Sequence, residues 1–205
     1  MQVFSIHPQS PQDRLIDKVV TLLQQGKVVV YPTDSGYALG CVLGDKTALD
    51  RIRTIRQLDA KHNMTLMCRD LSDIGVYAQV DNTHYRLLKQ FTPGSYTFVL
   101  KATREVPKRL LHPKRKTVGV RVPNHPIALA LLAALGSPMM SVSMIMPHAD
   151  DPLFDPDDIR EQLNTQIDCL VDGGYCNQGA TSVVDLSQPN VHVIREGTGD
   201  VSYFQ

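Results

Sequence analysis

Four local patterns in this chain carry residue types that can do chemistry. The first is Pro32-Thr33-Asp34-Ser35-Gly36-Tyr37, which follows the apolar run Lys27 to Tyr31. Such a segment at a strand end exposes hydroxyls and backbone groups to a ligand, although Pro, Asp, Ser and Gly also suit a plain turn. The second is a cluster of Arg51, Arg53, Arg56, Lys61 and His62. Cations there complement the negative end of a helix, or else form a phosphate clamp. The third is the stretch 104–116, where Arg104, Lys108, Arg109, Lys114, Arg115 and Lys116 are opposed by Glu105 alone. That is a solvated loop, or a local patch attractive to RNA or polyphosphate. The fourth pairs Thr117-Val118-Gly119-Val120-Arg121 with Ser141-Val142-Ser143.

In that last pattern the strand period of two decides what faces what. Thr117, Gly119 and Arg121 project together from their strand, and Ser141 and Ser143 project together from theirs. An arginine inside an apolar strand needs an anion. Either a ligand supplies it, or one of the chain's own aspartates does.

The elements that must position these residues follow from periodicity. Ser10-Pro11 reads as the opening of a helix carrying Leu15, Ile16, Val19, Val20, Leu22 and Leu23, with Gly26 as its stop. Asp45 can cap a helix bearing Ala48, Leu49, Ile52 and Ile55, and further helices are predicted from Asn82, from Pro126 to Leu135, and from Asp155-Pro156. Strands are predicted over 27–31, 37–43, 65–68, 97–102, 117–122, 139–144, 167–171, 181–186 and 191–195. This interspersion argues an α/β or α+β chain built on one mixed sheet, partly antiparallel at its end, and organised as one domain over 1–205.

Composition narrows the function class. The chain has 205 residues, 42% hydrophobic and 20% charged, with 21 basic and 21 acidic side chains for a formal net charge of zero. Disorder and coiled coil are excluded, and any nucleic-acid role must come from a local patch. Cys41, Cys68, Cys169 and Cys176 show no CxxC spacing, so they read as free thiols in a reducing cytosol. The N-terminus lacks a basic start and apolar core, and no apolar run approaches a membrane span, so a cytoplasmic protein is expected. GxGxxG, Walker, HExxH and GxSxG patterns are absent.

The patterns occur in an order that resembles the YrdC-like family of threonylcarbamoyl-AMP synthases, in its YciO-type branch. The segments that carry the resemblance are KVVVYPTDSGYALG (27–40), RIRTIRQLDAKHNMTLMC (51–68), TPGSYTFVLKA (92–102), TVGVRVPNHP (117–126), SVS (141–143), TSVVD (181–185) and VIREG (193–197). The resemblance implies a twisted α/β sheet with flanking helices and a large, basic concave face. It implies the joining of L-threonine, bicarbonate and ATP, with Mg²⁺ on the triphosphate, into threonylcarbamoyl-AMP and pyrophosphate for the t6A modification of tRNA. Binding of double-stranded RNA or tRNA is the alternative, with Arg104 to Lys116 as its patch. By motif, Thr33, Arg121, Ser141 and Thr181 fall on the threonine side. Arg56, Lys61, His62, Thr117, Ser143 and Arg195 fall on the nucleotide side, and no protein side chain is expected to ligate a metal. The chain departs from the family where a Lys-x-Arg pair becomes Arg56 and Leu58, and where STSAN becomes Ser141-Val142-Ser143-Met144-Ile145. From its length the chain is expected to lack the additional C-terminal domain of longer family members.

Overall fold

Four of the described α-helices open on an aspartate cap, and the other two, the first and fifth in chain order, form on their apolar faces without a side-chain cap. A computed structural model describes residues 1–59, 62, 64–111, 114, 116–149, 151–176 and 179–204. The candidate residues Lys61 and Arg115 lie outside the described residues, as does the side chain of Arg109. Helix α1 (Asp13–Gln24) buries Ile16, Val19, Val20 and Leu23. It starts later than Ser10-Pro11 predicts, because Ser10 N–H donates to His7 Nδ1 at 3.1 Å and Ser10 belongs to the entry turn. Its N-cap is Gln12, whose Oε1 accepts from His7 N–H at 3.1 Å. Helix α2 (Lys46–Arg56) is capped as expected, Asp45 accepting from Ala48 N–H at 2.9 Å. Helix α3 (Leu71–Tyr77), capped by Asp70, has no counterpart among the predicted elements: it is short and buries one side chain, Ile74. Helices α4 (Asn82–Phe91) and α6 (Pro156–Leu163) begin on Asp81 and Asp155 caps. Helix α5 (Pro126–Leu135) ends at Gly136, whose φ of 70° is left-handed.

Among the described residues ten strands join in one sheet: β1 (Gln2–Ser5), β2 (Val29–Thr33), β3 (Gly36–Val42), β4 (Thr65–Met67), β5 (Tyr96–Lys101), β6 (Thr117–Arg121), β7 (Met139–Ser143), β8 (Cys169–Asp172), β9 (Ser182–Asp185) and β10 (His192–Arg195). Their order is β1-β8-β2-β3-β7-β4-β6-β5-β9-β10. The sheet is mixed, with β1–β8, β2–β8, β4–β6 and β5–β9 parallel. The β2–β3, β3–β7, β4–β7, β5–β6 and β9–β10 pairs are antiparallel. β1 was not anticipated from sequence, because it is an edge strand and three of its four residues are exposed.

Alternation along the strands divides the interior in two. Val28 and Val30, Leu66, Val118 and Val120, Phe98 and Leu100 point into one core with α2, Ile74, Leu88, Ile159 and Leu163. Val29 and Tyr31, Ala38, Met67, Met139, Cys169 and Val171 point into the other, beneath α1 and α5. Those two helices cross one end of the sheet, packing on β2, β3 and β8. On the same face, over β7, β4, β6, β5 and β9, the alternating positions line a cavity instead. The uneven placement of two helices therefore creates the site.

Candidate functional site

The cavity holds about 280 Å³. Its floor is the outward row of five strands: Ser141 and Ser143 from β7, Thr65 and Met67 from β4, Thr117, Gly119 and Arg121 from β6, Thr97 and Val99 from β5, and Val183 from β9. Register brings them together, since Thr65 pairs with both Gly119 and Ser141, and Val99 pairs with Gly119. Gly119 keeps this floor open: a Cβ there would stand 3.4 Å from the Thr97 methyl and 3.5 Å from Thr65 Oγ1. The walls add Ser35, Arg56, His62, Ile145, Thr181 and Arg195.

Charge in this cavity is one-sided. Three guanidinium groups line it, from Arg56, Arg121 and Arg195, and no carboxylate does so among the described residues. Burial pulls the pKa of all three downward, yet arginine stays cationic throughout the accessible range. A hydroxyl-rich pocket of this sign suits an anion.

Arg121 has its anion within the chain. Its Nη2 donates to Asp34 Oδ1 at 2.6 Å and its Nη1 to Ser35 Oγ at 2.6 Å. Asp34 Oδ2 also accepts from Ser95 Oγ at 3.1 Å. Of the two readings of Arg121 from sequence, the ion pair with an aspartate is thus present, and the same guanidinium lines the cavity. Arg121 Nε has no partner among the described residues, and neither does Arg56 Nε.

Arg56 ends α2 and donates to the carbonyl of Ile145, which binds the α2 terminus to the chain after β7. Half a turn later Leu58 packs on the main core and is not a lining residue. Next to Arg56, His62 has its pKa lowered by burial and by that guanidinium. Across the cavity Arg195 donates from Nε to Thr181 O and from Nη2 to Thr181 Oγ1, both at 2.9 Å. Gly197 permits this arrangement, because a Cβ there would lie 2.3 Å from Ala180 O.

Ser141 is backed by Tyr31, whose hydroxyl lies 2.8 Å from Ser141 Oγ. Burial pushes the Tyr31 phenol up to about 12, so it is protonated at neutral pH.

The structure brings Arg56, His62, Thr117, Arg121, Ser141, Ser143, Thr181 and Arg195 to one cavity. Thr33 is the exception. It is buried behind the β2–β3 turn, where its Oγ1 donates to Gly36 O at 2.7 Å and accepts from Ser35 N–H at 3.1 Å. Those bonds occupy it as a turn residue, and Ser35 is the member of the loop that reaches the cavity. Ser35 lies in the loop singled out from sequence but was given no role there; Thr65 and Thr97 were missed, and period-two alternation within β4 and β5 was the signal that could have found them. Of the basic stretch, Arg104, Lys108, Lys114 and Lys116 are exposed on the connection from β5 to β6 and stand outside the cavity.

A family model described as "Telomere recombination", covering Sua5, YciO and YrdC proteins, matches residues 21–197. The chain belongs to this family. It is a member of the YciO branch: the YciO protein of Escherichia coli (strain K12) is 54% identical over 203 residues, covering 99% of this chain and 98% of that protein. The crystal structure of Escherichia coli YciO superposes with a TM-score of 0.96, covering 100% of this chain and 99% of that one. The Pyrococcus abyssi Sua5 structure complexed with L-threonine superposes with a TM-score of 0.89 at 26% identity, covering 96% of this chain and 58% of that one. The mixed α/β sheet with flanking helices is the YrdC-like fold. Homology to the family supports a synthase-like fold and function at the family level. Among the described residues no helix is long and apolar enough to cross a membrane.

Proposed function

We propose that the cavity binds ATP, L-threonine and bicarbonate and forms threonylcarbamoyl-AMP with release of pyrophosphate. The observation that carries this reading is the convergence of Arg56, Arg121 and Arg195 on a hydroxyl-lined pocket free of described carboxylates. A substrate set of a triphosphate, a carboxylate and bicarbonate is entirely anionic apart from one ammonium group. The threonine complex of a Pyrococcus abyssi family member supports the amino acid assignment.

The chemistry needs no covalent enzyme intermediate. The threonine amine takes up bicarbonate with loss of water to give a carbamate. A carbamate oxygen then attacks the α-phosphorus of ATP, the bond from that phosphorus to the bridging oxygen breaks, and pyrophosphate leaves. The protein contributes position and charge. Arg121 is the group for the threonine carboxylate, with Asp34 and Ser35 fixing its plane. Arg56, Arg195, Thr117 and Ser143 face the nucleotide, with His62 beside them. Mg²⁺ enters on the triphosphate as part of the substrate. The described lining offers it hydroxyls and no carboxylate, so it stays with the phosphates. The single sheet, with β1 and β10 at its two edges, supports reading residues 1–205 as one domain.

Incubation of the protein with ATP, Mg²⁺, bicarbonate and labelled L-threonine tests the proposal. Threonylcarbamoyl-AMP and pyrophosphate above the enzyme-free control are expected, and absence of both overturns it.

A second reading rests on a separate observation. Arg104, Lys108, Lys114 and Lys116 are exposed on the β5–β6 connection, and Lys46 lines a surface hollow with Lys108, Arg53 and Asp50, the last two forming an ion pair at 3.3 Å. Such a surface fits double-stranded RNA or tRNA, used without chemistry in the cavity. Affinity for a duplex RNA should then fall steeply with salt through counterion release. Binding that is absent or indifferent to salt removes this reading.

A further inference from the structure

We propose that Tyr31 is a positioning residue that fixes Ser141 as a pure acceptor toward the cavity, so that this wall recognises an N–H donor of the ligand. This deepens the amino acid reading of the site and rests on it for the identity of the ligand.

The inference follows from counting hydrogens. Tyr31 is fully buried, and the one hydrogen-bond partner of its hydroxyl among the described residues is Ser141 Oγ, at 2.8 Å. Ser141 Oγ also lies 3.2 Å from Leu39 O. A carbonyl only accepts, so the single serine hydrogen goes to Leu39 O. The serine oxygen therefore accepts from Tyr31. The opposite direction, with Ser141 donating to Tyr31, leaves a phenol hydrogen buried without an acceptor, which is the costlier arrangement. The Tyr31 phenol is held in its protonated, donating form by burial.

What remains on Ser141 is a lone pair, and Ser141 lines the cavity. It cannot offer a hydrogen to a phosphate or carboxylate without breaking its bond to Leu39 O. It can accept one from an ammonium or amide N–H. On the strand beyond β4 stands Arg121, which supplies donors for a carboxylate. The acceptor and the donors thus face the two ends of an α-amino acid. Gly40, paired with Ser141 across β3 and β7, allows the arrangement, because a Cβ there would stand 2.8 Å from Tyr31 Cε1.

Two measurements test this. Neutron diffraction from deuterium-exchanged crystals locates the two hydroxyl deuterons without any ligand. The Tyr31 deuteron directed at Ser141 and the Ser141 deuteron directed at Leu39 O are expected. A Ser141 deuteron directed at Tyr31 or into the cavity overturns the proposal. Calorimetry then compares L-threonine with 3-hydroxybutanoate of matching configuration, the same molecule without its amino group. Tyr31→Phe should weaken L-threonine about tenfold, the loss of one well-placed hydrogen bond to a charged group, and leave 3-hydroxybutanoate unchanged. Equal effects on both compounds, or none on either, overturn it. If the wild-type protein binds neither compound, the threonine reading falls, and the deuteron positions decide the direction of the hydroxyls. The same holds if Tyr31→Phe does not fold.

Discussion

Arg121 Nη2 stands 2.6 Å from Asp34 Oδ1 with both side chains about nineteen-twentieths buried, so the central cation of the cavity is neutralised from below by its own chain. The pair joins β6 to the turn between β2 and β3, and β6 neighbours neither of those strands in the sheet. It holds the guanidinium at the cavity wall whether or not a ligand is present. A buried pair of this kind is better evidence of a fixed geometry than of net stability, because both ions were taken from water to make it.

Breaking the pair from one side should therefore destabilise far more than removing it whole. Asp34→Ala is expected to lower the unfolding free energy by about 3–5 kcal/mol, leaving a buried cation unpaired, while Asp34→Ala with Arg121→Met recovers most of that loss. Urea unfolding of the two single variants and the double variant measures it as a coupling energy. Additive losses would mean that Arg121 and Asp34 do not act as a pair.

Gly40→Ala probes the support of Ser141 by sterics alone. The added methyl meets the Tyr31 ring at 2.8 Å, and a buried ring in a packed core moves reluctantly. A loss of about 1–3 kcal/mol is expected for overpacking of this sort, together with weaker ligand binding. Thermal unfolding and L-threonine calorimetry on one preparation check both. Unchanged stability would show that the ring has room to withdraw.

His125 gives a pH dependence with a defined sign. Burial lowers its pKa below the ordinary 6.5, against an opposing pull from Asp34, and its Nδ1 has no partner among the described residues. Near and below pH 6.5 the unfolded chain then binds more protons than the folded one, so stability is full above that pH and declines as pH falls. Between pH 7 and pH 5 the wild-type melting temperature should drop more than that of His125→Asn. Identical slopes would assign the decline to other groups.

Much of this site could be read from sequence because local alternation encodes it. Arg121 in an apolar strand had to find an anion, and Thr117, Ser141 and Ser143 fall on the cavity face by period alone. Asp45, Asp81 and Asp155 likewise announce their helices through capping chemistry that needs no tertiary contact. Sequence left open whether Arg121 paired with Asp34, since the answer depends on how β6 approaches a turn 87 residues away. It also placed Thr33 at the ligand, because a turn residue and a binding residue look alike until the fate of the hydroxyl is known. The roles of Tyr31 and Thr65 depend on β3–β7 and β4–β7 pairings that no local pattern specifies.

The two departures from the family pattern should behave differently when reversed. Leu58 packs against the core and does not line the cavity, so Leu58→Arg adds a cation outside the described wall and should leave ATP binding unchanged. Its aliphatic stem can retain some of the leucine packing while the guanidinium reaches solvent. Ile145 does line the cavity, and its carbonyl, which a side-chain substitution spares, already holds Arg56. Ile145→Asn puts an amide beside that guanidinium and should tighten Mg²⁺-ATP by about tenfold, one added hydrogen bond to a phosphate. The ATP-induced rise in melting temperature reads both changes, since a ligand that binds only the folded state stabilises it by an amount that grows with the logarithm of its concentration over Kd. A larger gain from Leu58→Arg than from Ile145→Asn would place the triphosphate along the α2 terminus and away from the β7 end of the cavity.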